Sequence, residues 1–413
     1  MATATTDARA VPPGLTATRS PHLMLGLATL GFALNFWAWA LLSPLSIRFR
    51  ADLALNSFQQ ALLVAVPVVV GSLGRIPVGA MTDRYGGRVM FPAVSFATIV
   101  PVLYLGLFGH GSYISLLIGG FFLGIGGTAF AVGVPFVNGW FAPARRGFAI
   151  GVFGAGMGGT AISALTTVKL AQAHGVAMPF LLTAAALAVY GTVTAVVLRD
   201  APGRTAPVGS PMQRLVETSH LRVTWDLSAV YAVAFGCYVA LSVYLPTYLK
   251  TTYGLSAADA SNKMAGFVIV AVLMRPVGGY LSDRVAPTTV LAGAFTVVAL
   301  AAAWQAHGPT LAPTGTIAFL TTAGAVGAAS GATLALLAAR VPSDRVGSVS
   351  GVVGAAGGLG GFIPPLLMGT IYGSTGSYAI GLSLLSATAI AALAFTVLRV
   401  RSWKVASLGT VAS

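Results

Sequence analysis

Two arginines lie inside long apolar stretches of the sequence, Arg75 in 58–81 and Arg275 in 264–282. If these stretches cross a membrane, each guanidinium costs about 2.5–3.5 kcal/mol at mid-depth, so a compensating partner is needed. None of the nine Asp and Glu residues falls deep inside an apolar stretch. Two unpaired guanidiniums at low dielectric constant form a receptor for an anion, and their planar fork of donors suits planar oxyanions, carboxylates included. The alternative is that each arginine bonds backbone carbonyls at a helix break or extends towards the membrane surface.

The elements that hold these arginines are apolar segments of membrane-spanning length. The chain is 56% apolar and 8% charged, with a mean hydropathy of +0.86, whereas a soluble domain carries roughly 25% charged residues. Segments of about 20 residues, enough to cross the hydrocarbon core, recur along the chain. The predicted spans are 22–44, 58–81, 89–109, 113–140, 147–171, 178–198, 226–249, 264–282, 288–306, 314–339, 347–371 and 378–399. The sequence therefore predicts an all-α polytopic membrane protein with twelve transmembrane helices.

A polar segment at 199–225 divides these spans into two groups of six. We expect residues 1–21 to form a disordered tail, 22–198 and 226–399 to form two six-helix bundles joined by this linker, and 400–413 to form a second tail. With both termini on one side, most of the 23 Lys and Arg residues fall on that side. Cytoplasmic loops carry such an excess, so both tails are predicted to be cytoplasmic. Membrane orientation thus explains the net charge of +14 better than binding to nucleic acid.

The two groups of spans are related by a repeat with a shift of 200 residues. Residues 75–84 (RIPVGAMTDR) and 275–284 (RPVGGYLSDR) share an Arg, a Gly, an Asp and a second Arg at matched positions. Four glycines return at the same shift, namely Gly147, Gly151, Gly154 and Gly158 as Gly347, Gly351, Gly354 and Gly358. Identities in two separate blocks indicate two pseudo-symmetric six-helix bundles, an arrangement that transporters use around a central pathway.

The segment Gly79–Arg88 (GAMTDRYGGR) resembles the signature between helices 2 and 3 of the major facilitator superfamily. A weaker copy, Gly279–Arg284 (GYLSDR), stands where that superfamily repeats it. Five charged residues of these motifs are expected to make charge and helix-end contacts that hold the two halves together when the outside is open: Asp83, Arg84, Arg88, Asp283 and Arg284. Simple marking of membrane topology is the alternative.

A narrower resemblance, to the nitrate/nitrite porter family, is carried by two glycine-rich stretches, 130–159 and 347–361. By position it implies a substrate site made of Arg75, Arg275, Phe130, Tyr231 and Phe235. In that site the arginines would bind the anion and the two phenylalanines would sandwich it. The resemblance also implies a multi-pass protein of the cell membrane, specifically of a bacterial inner membrane.

The chain departs from this family at two places. Met157 stands where the family usually has Asn, and Ala329–Thr333 (ASGAT) stands where it often has Gly-Asn-Gly. Both departures remove a side-chain amide. The identity of the anion therefore stays open between nitrate, nitrite and another small anion such as a short carboxylate.

The glycine-rich stretches have two interpretations. Gly154, Gly158, Gly354 and Gly358 could allow close helix packing through small residues. They could instead let helices 5 and 11 slide against their neighbours and offer backbone groups to the anion. A nucleotide-binding loop is rejected, because no strand precedes the glycines and no Lys-Ser/Thr follows them.

Other chemistries find no support in the sequence. Cys237 is the single cysteine and the five histidines lie at span ends or in loops, so neither a metal site nor a cofactor is predicted. A membrane sensor or enzyme would need a catalytic constellation or an appended domain. We therefore expect a transporter, not an enzyme, whose partners are a small anion and the lipid bilayer and which is monomeric.

The expected mechanism is alternating access, in which the two halves rock about a central anion site. Proton-driven transporters commonly keep an Asp, Glu or His inside the membrane. Since no such residue falls at depth here, exchange of nitrate for nitrite is predicted to be faster than net movement. Proton symport is the alternative.

Overall fold

The computed structural model describes residues 20–204 and 210–401. The predicted tails therefore lie almost wholly outside the described residues. Within the described ranges the chain is helical and contains no strand. The first nine helices are α1 (Pro21–Trp39), α2 (Leu42–Asp52), α3 (Ser57–Tyr85), α4 (Gly87–Leu107), α5 (Tyr113–Leu123), α6 (Ala129–Trp140), α7 (Arg146–Gly154), α8 (Gly159–His174) and α9 (Ala177–Val197). The remaining eight are α10 (Pro211–Ser219), α11 (Arg222–Tyr253), α12 (Ala257–Arg284), α13 (Pro287–Ala306), α14 (Thr316–Arg340), α15 (Val346–Gly360), α16 (Ile363–Thr375) and α17 (Ala379–Phe395).

The described residues contain eleven helical segments long and apolar enough to cross a membrane, together with the shorter apolar helix α15. These segments match the predicted spans one to one, so the predicted twelve-helix architecture is confirmed. The second and eighth segments extend to Tyr85 and Arg284. Asp83 and Asp283 therefore lie in the last turns of α3 and α12 instead of in loops.

Three predicted spans are interrupted where glycine is dense. The fourth contains a 3-10 segment at Gly124–Thr128 between α5 and α6, and the fifth contains one at Ala155–Gly158 between α7 and α8. The eleventh ends at Gly360 and resumes as α16 with proline in its first turn. Glycine and proline are the weakest helix formers, which accounts for breaks at these positions.

The two helices that carry the arginines start in related ways. Asn56 caps α3 by accepting from the Gln59 amide, and the Gln59 side chain accepts from the Asn56 amide. At the position 200 residues later, Ser256 caps α12 by accepting from the Asp259 amide. Such caps satisfy amides that have no partner inside the helix. Both long helices therefore begin at matched positions and bring their arginines to matched depths.

The two halves meet along two related interfaces, in which α3 packs on α15 and α12 packs on α7. A Cβ added to Gly79 would clash with the Gly347 carbonyl, and one added to Gly279 would clash with the Gly147 carbonyl. Glycine at these positions is what allows the helices to touch backbone to backbone. These contacts lie near the ends of α3 and α12 that carry Asp83 and Asp283, which we call the loop end of the protein.

A short helix inside the predicted linker, α10, lies at the loop end. Ser210 and Gln213 form its capping box, and Arg214 Nη1 donates to the Asp344 carbonyl at 2.9 Å. Earlier in the linker, Arg204 Nη2 donates to the Asp83 carbonyl at 2.6 Å. The linker therefore contacts both halves beside the interface between α3 and α15.

Candidate functional site

Arg75 is buried in the interface between α3 and α15, with 2% of its surface exposed. Its Nε donates to the Gly127 carbonyl at 3.0 Å. Its Nη1 reaches across to the other half and donates to the Gly354 carbonyl at 2.7 Å. Gly127 lies in the 3-10 segment before α6, where the broken helix leaves a carbonyl available.

Arg275 occupies the related position in the interface between α12 and α7 and is equally buried. Its Nη1 donates to the Gly154 carbonyl at 3.1 Å and also contacts Met157 Sδ. Its Nη2 donates to the Tyr231 hydroxyl at 2.8 Å. Its Nε is buried and has no hydrogen-bond partner among the described residues.

Each arginine thus bonds a glycine of the opposite half. Arg75 bonds the Gly354 carbonyl and Arg275 bonds the Gly154 carbonyl. The two arginines are related by the 200-residue shift, and so are the two glycines. Backbone carbonyls at helix breaks were the alternative partners considered from the sequence, and both arginines use them. Carbonyls do not neutralise charge, and none of the ion pairs found among the described residues includes either arginine. The site therefore holds two buried positive charges.

Three aromatic rings implied by the resemblance lie at the arginines. The Phe235 centroid is 5.8 Å from Arg75 Cζ and 5.3 Å from Arg275 Cζ, so this ring contacts both charges. The Phe130 centroid is 5.2 Å from Arg75 Cζ. Tyr231 stacks on Phe235 at 5.1 Å and on Phe130 at 6.0 Å. The structure therefore brings all five predicted site residues together, and a sandwich of the anion by the two phenylalanines stays a prediction.

Glycines of α7, of the 3-10 segment that follows it and of α15 lie against these side chains and their neighbours. A Cβ on Gly354 would come within 2.8 Å of Phe130 Cε1, and one on Gly154 within 3.4 Å of Arg275 Nε. Gly158 faces Val272 and Gly358 faces Ser72. In this conformation the carbonyls of Gly154 and Gly354 accept hydrogen bonds from Arg275 and Arg75.

Each predicted aspartate of the loop end accepts hydrogen bonds from the start of a helix in the opposite half. Asp83 accepts from the Gly347 and Ser348 amides at 2.8 and 2.7 Å and from Ser348 Oγ at 2.6 Å. Asp283 accepts from the Gly147 and Phe148 amides, each at 2.8 Å. Carboxylates are favoured at helix N-termini by the unpaired amides and the helix dipole. These two aspartate contacts close the loop end in this conformation.

The predicted arginines of the loop end have other contacts. The Arg84 guanidinium lies 5.8 Å from the Tyr85 ring centroid, and that of Arg284 lies 4.3 Å from the Tyr280 centroid. The Arg88 amide donates to Asp200 Oδ1 at 3.1 Å, which places the linker carboxylate at the start of α4. Their predicted part in holding the halves together stays a prediction.

Sequence reasoning missed Phe36, whose ring centroid is 5.9 Å from Arg75 Cζ. It also missed Gly127, whose carbonyl accepts from Arg75 Nε, and did not consider Ser72, which is buried against Gly358. Helical spacing offered a signal for Ser72, which lies one turn before Arg75 on α3. For Phe36 and Gly127, which lie on other helices, the sequence offers no such signal.

Comparison with known proteins agrees with this architecture. The family model of the Major Facilitator Superfamily matches residues 28–365 and 250–410. The "Probable nitrate/nitrite transporter NarK2" of Mycobacterium tuberculosis is 48% identical over 91% of this chain and 96% of its own length. The "Nitrite extrusion protein" of Bacillus subtilis is 35% identical over 91% of this chain and 94% of its own length. A structure of the Escherichia coli fucose:proton symporter FucP superposes with a TM-score of 0.74 at 18% identity, covering 94% of this chain and 100% of that one.

These matches agree with the transporter expected from the sequence and give no support to an enzyme. The multi-pass arrangement follows from the same family model and from the eleven apolar helical segments. The chain belongs to the major facilitator superfamily and, within it, to the nitrate/nitrite porter family.

Proposed function

We propose that this protein carries nitrate, nitrite or both across the cell membrane by alternating access, with Arg75 and Arg275 as its anion site. The names of its relatives support this substrate class. The observation that carries the proposal is the pair of buried guanidiniums, one from each half, joined by the Phe235 ring. A small anion between them would neutralise charges that no described ion pair neutralises.

The chemistry of the site favours a small planar anion. Guanidinium presents coplanar N–H donors that match two oxygens of a planar oxyanion. The Nε of Arg275 is a buried donor without a partner among the described residues, and leaving such a donor unsatisfied costs roughly 1–3 kcal/mol. An anion oxygen would satisfy it. The aromatic rings beside the arginines would shield a bound anion from water.

The transport cycle would alternate the end at which the site opens. In the conformation described, Asp83 and Asp283 close the loop end. Bundles 22–198 and 226–399 would move as the two bodies, and both aspartate contacts would have to break for the loop end to open. The excess of Lys and Arg on the side of both termini supports a cytoplasmic location of the loop end. Both arginines belong to one chain, so a monomer is sufficient for the cycle. The proposed location is a bacterial inner membrane.

Met157 favours a second candidate substrate. Its thioether contacts Arg275 Nη1 at a position where an amide side chain would offer both a donor and an acceptor. The thioether donates nothing and is a weak acceptor, so the Arg275 side selects less strictly among planar anions. A short carboxylate is therefore the alternative cargo.

The proposed faster mode of transport is exchange of nitrate for nitrite, compared with net movement of either anion. The carboxylates of Asp83 and Asp283 lie at the loop end and are bonded to helix starts. Buried Asp226 is paired with Arg399 at 2.9 Å and with Arg222 at 3.7 Å. An empty site leaves two positive charges unneutralised while the halves move, so crossing with an anion bound should be faster. Uptake of nitrate into vesicles without internal anion, driven strongly by an inward proton gradient, would favour symport instead.

Counterflow in liposomes tests the substrate class. Vesicles loaded with unlabelled nitrate should accumulate labelled nitrate and nitrite from outside. Formate and acetate, added outside in excess, should compete weakly if the cargo is inorganic. Efficient counterflow of formate or acetate with none of nitrate or nitrite would replace the proposed cargo by a short carboxylate.

A further inference from the structure

The Ser72 hydroxyl is a buried polar group that the site described above does not use. Ser72 is 1% exposed and its Oγ has no hydrogen-bond partner among the described residues. Buried hydroxyls in helices can donate to the carbonyl four residues earlier. Thr82 does so to Val78 and Thr98 to Val94, at 2.7 and 2.8 Å. Ser72 forgoes this bond, so its hydrogen is available to another acceptor.

The hydroxyl lies beside the Arg75 guanidinium. A Cβ on Gly358 would overlap Ser72 Oγ, and the same point is 3.6 Å from Arg75 Nη1. Ser72 and Arg75 are three residues apart on α3 and so share one face of the helix. A donor thus stands next to the charged group at the interface between the halves.

The related position on the other side carries no donor. Val272 is the residue equivalent to Ser72 under the 200-residue shift. A Cβ on Gly158 would lie 3.7 Å from Val272 Cγ1. The same shift relates Met157, which contacts Arg275, to Gly357. The Arg75 side therefore has a hydroxyl and a glycine without a side chain, whereas the Arg275 side has an isopropyl group and a thioether.

We propose that Ser72 is a substrate-contacting residue that donates its hydroxyl to an anion oxygen and favours nitrate over nitrite. The inference rests on the proposed function and assigns a specificity determinant within that site. Two oxygens of a planar anion match one guanidinium fork. Nitrate has a third oxygen to accept from Ser72, and nitrite has no such oxygen.

Purified full-length protein in detergent tests this by isothermal titration with sodium nitrate and sodium nitrite. Ser72→Ala should weaken nitrate binding about tenfold, the size of one hydrogen bond to a charged group, and nitrite binding by less than about threefold. Ser72→Cys, a weaker donor of similar size, should fall between wild type and Ser72→Ala for nitrate. Ser163→Ala is the matched control, because Ser163 is buried on α8 and bonds Thr167 at 3.1 Å.

Equal losses for nitrate and nitrite in Ser72→Ala, or no loss for either, would overturn the assignment while leaving the proposed function intact. Wild-type protein that binds neither anion would refute the proposed function, and the assignment with it. Melting temperatures of the variants, measured without anion, distinguish a lost contact from a misfolded protein. Normal melting with a nitrate-selective loss is the expected result.

Discussion

Replacing Asp83 by Asn should open the loop end of the protein. Asp83 is 7% exposed and accepts three hydrogen bonds from the start of α15. Asparagine keeps one acceptor oxygen, loses the charge and turns an N–H towards an N–H donor. Since these bonds exist only while α3 and α15 are in contact, their loss destabilises the closed loop end selectively.

The size of the effect follows from the bonds that change. A hydrogen bond to a charged group contributes about 1.5–3 kcal/mol, and a negative charge at a helix N-terminus contributes about 0.3–2 kcal/mol. A net loss of about 2 kcal/mol shifts the equilibrium roughly 30-fold towards the open loop end. Asp283 accepts two bonds and is more exposed, so Asp283→Asn should produce a smaller shift in the same direction.

Distances between two spin labels, measured by double electron–electron resonance, can report this shift. Tyr85 and Val285 are 47% and 49% exposed and lie at matched positions of the two halves, so cysteines there can carry spin labels in a Cys237→Ser background. The long-distance population should be largest in Asp83→Asn. Asp52→Asn, which removes an exposed ion pair with Arg48 on α2, is the control. Distance distributions identical to wild type in both interface variants would refute the role given to these carboxylates.

Two further predictions concern the site and the orientation. Gly357→Ala should weaken anion binding at least about tenfold, because a Cβ there would come within 2.8 Å of Tyr231 Cε1 and 3.0 Å of Phe235 Cδ1; Gly373→Ala, in open space, should bind normally in the same titration. A cysteine at Gln213 in α10 should react with membrane-impermeant thiol reagents only from the cytoplasmic side, and buried Cys237 should resist them; labelling of residue 213 from outside intact cells would reverse the assigned orientation.

The sequence was sufficient for the architecture and for the position of the arginines. Long apolar segments identify spans directly, and the 200-residue shift alone paired Arg75 with Arg275. The positions of the helix breaks were not predicted, because Gly124–Thr128 and Ala155–Gly158 remain apolar and hydropathy does not distinguish a 3-10 turn from an α-helix. The helix α10 was missed as well, although Ser210 and Gln213 around Pro211 form a readable capping box.

Contacts between distant segments were harder to predict. The pattern identified Asp83 and Asp283 as contact residues between the halves but not the helix starts that they bind. The bond from Arg75 to Gly354 joins residues 279 positions apart, and nothing local in the sequence specifies a carbonyl as the partner. The asymmetry between Ser72 and Val272 became meaningful only when both were found facing related glycines.

The central claim is that two guanidiniums hold the anion, and arginine-to-lysine replacement tests it most directly. Lysine keeps the positive charge and removes the planar fork of donors. Titration of purified protein with nitrate and nitrite should show binding to wild type and to Arg48→Lys, a control at an exposed position on α2. Arg75→Lys and Arg275→Lys should each bind at least about tenfold more weakly, the loss of one charge-assisted hydrogen bond. Wild-type affinity in Arg275→Lys would contradict the account.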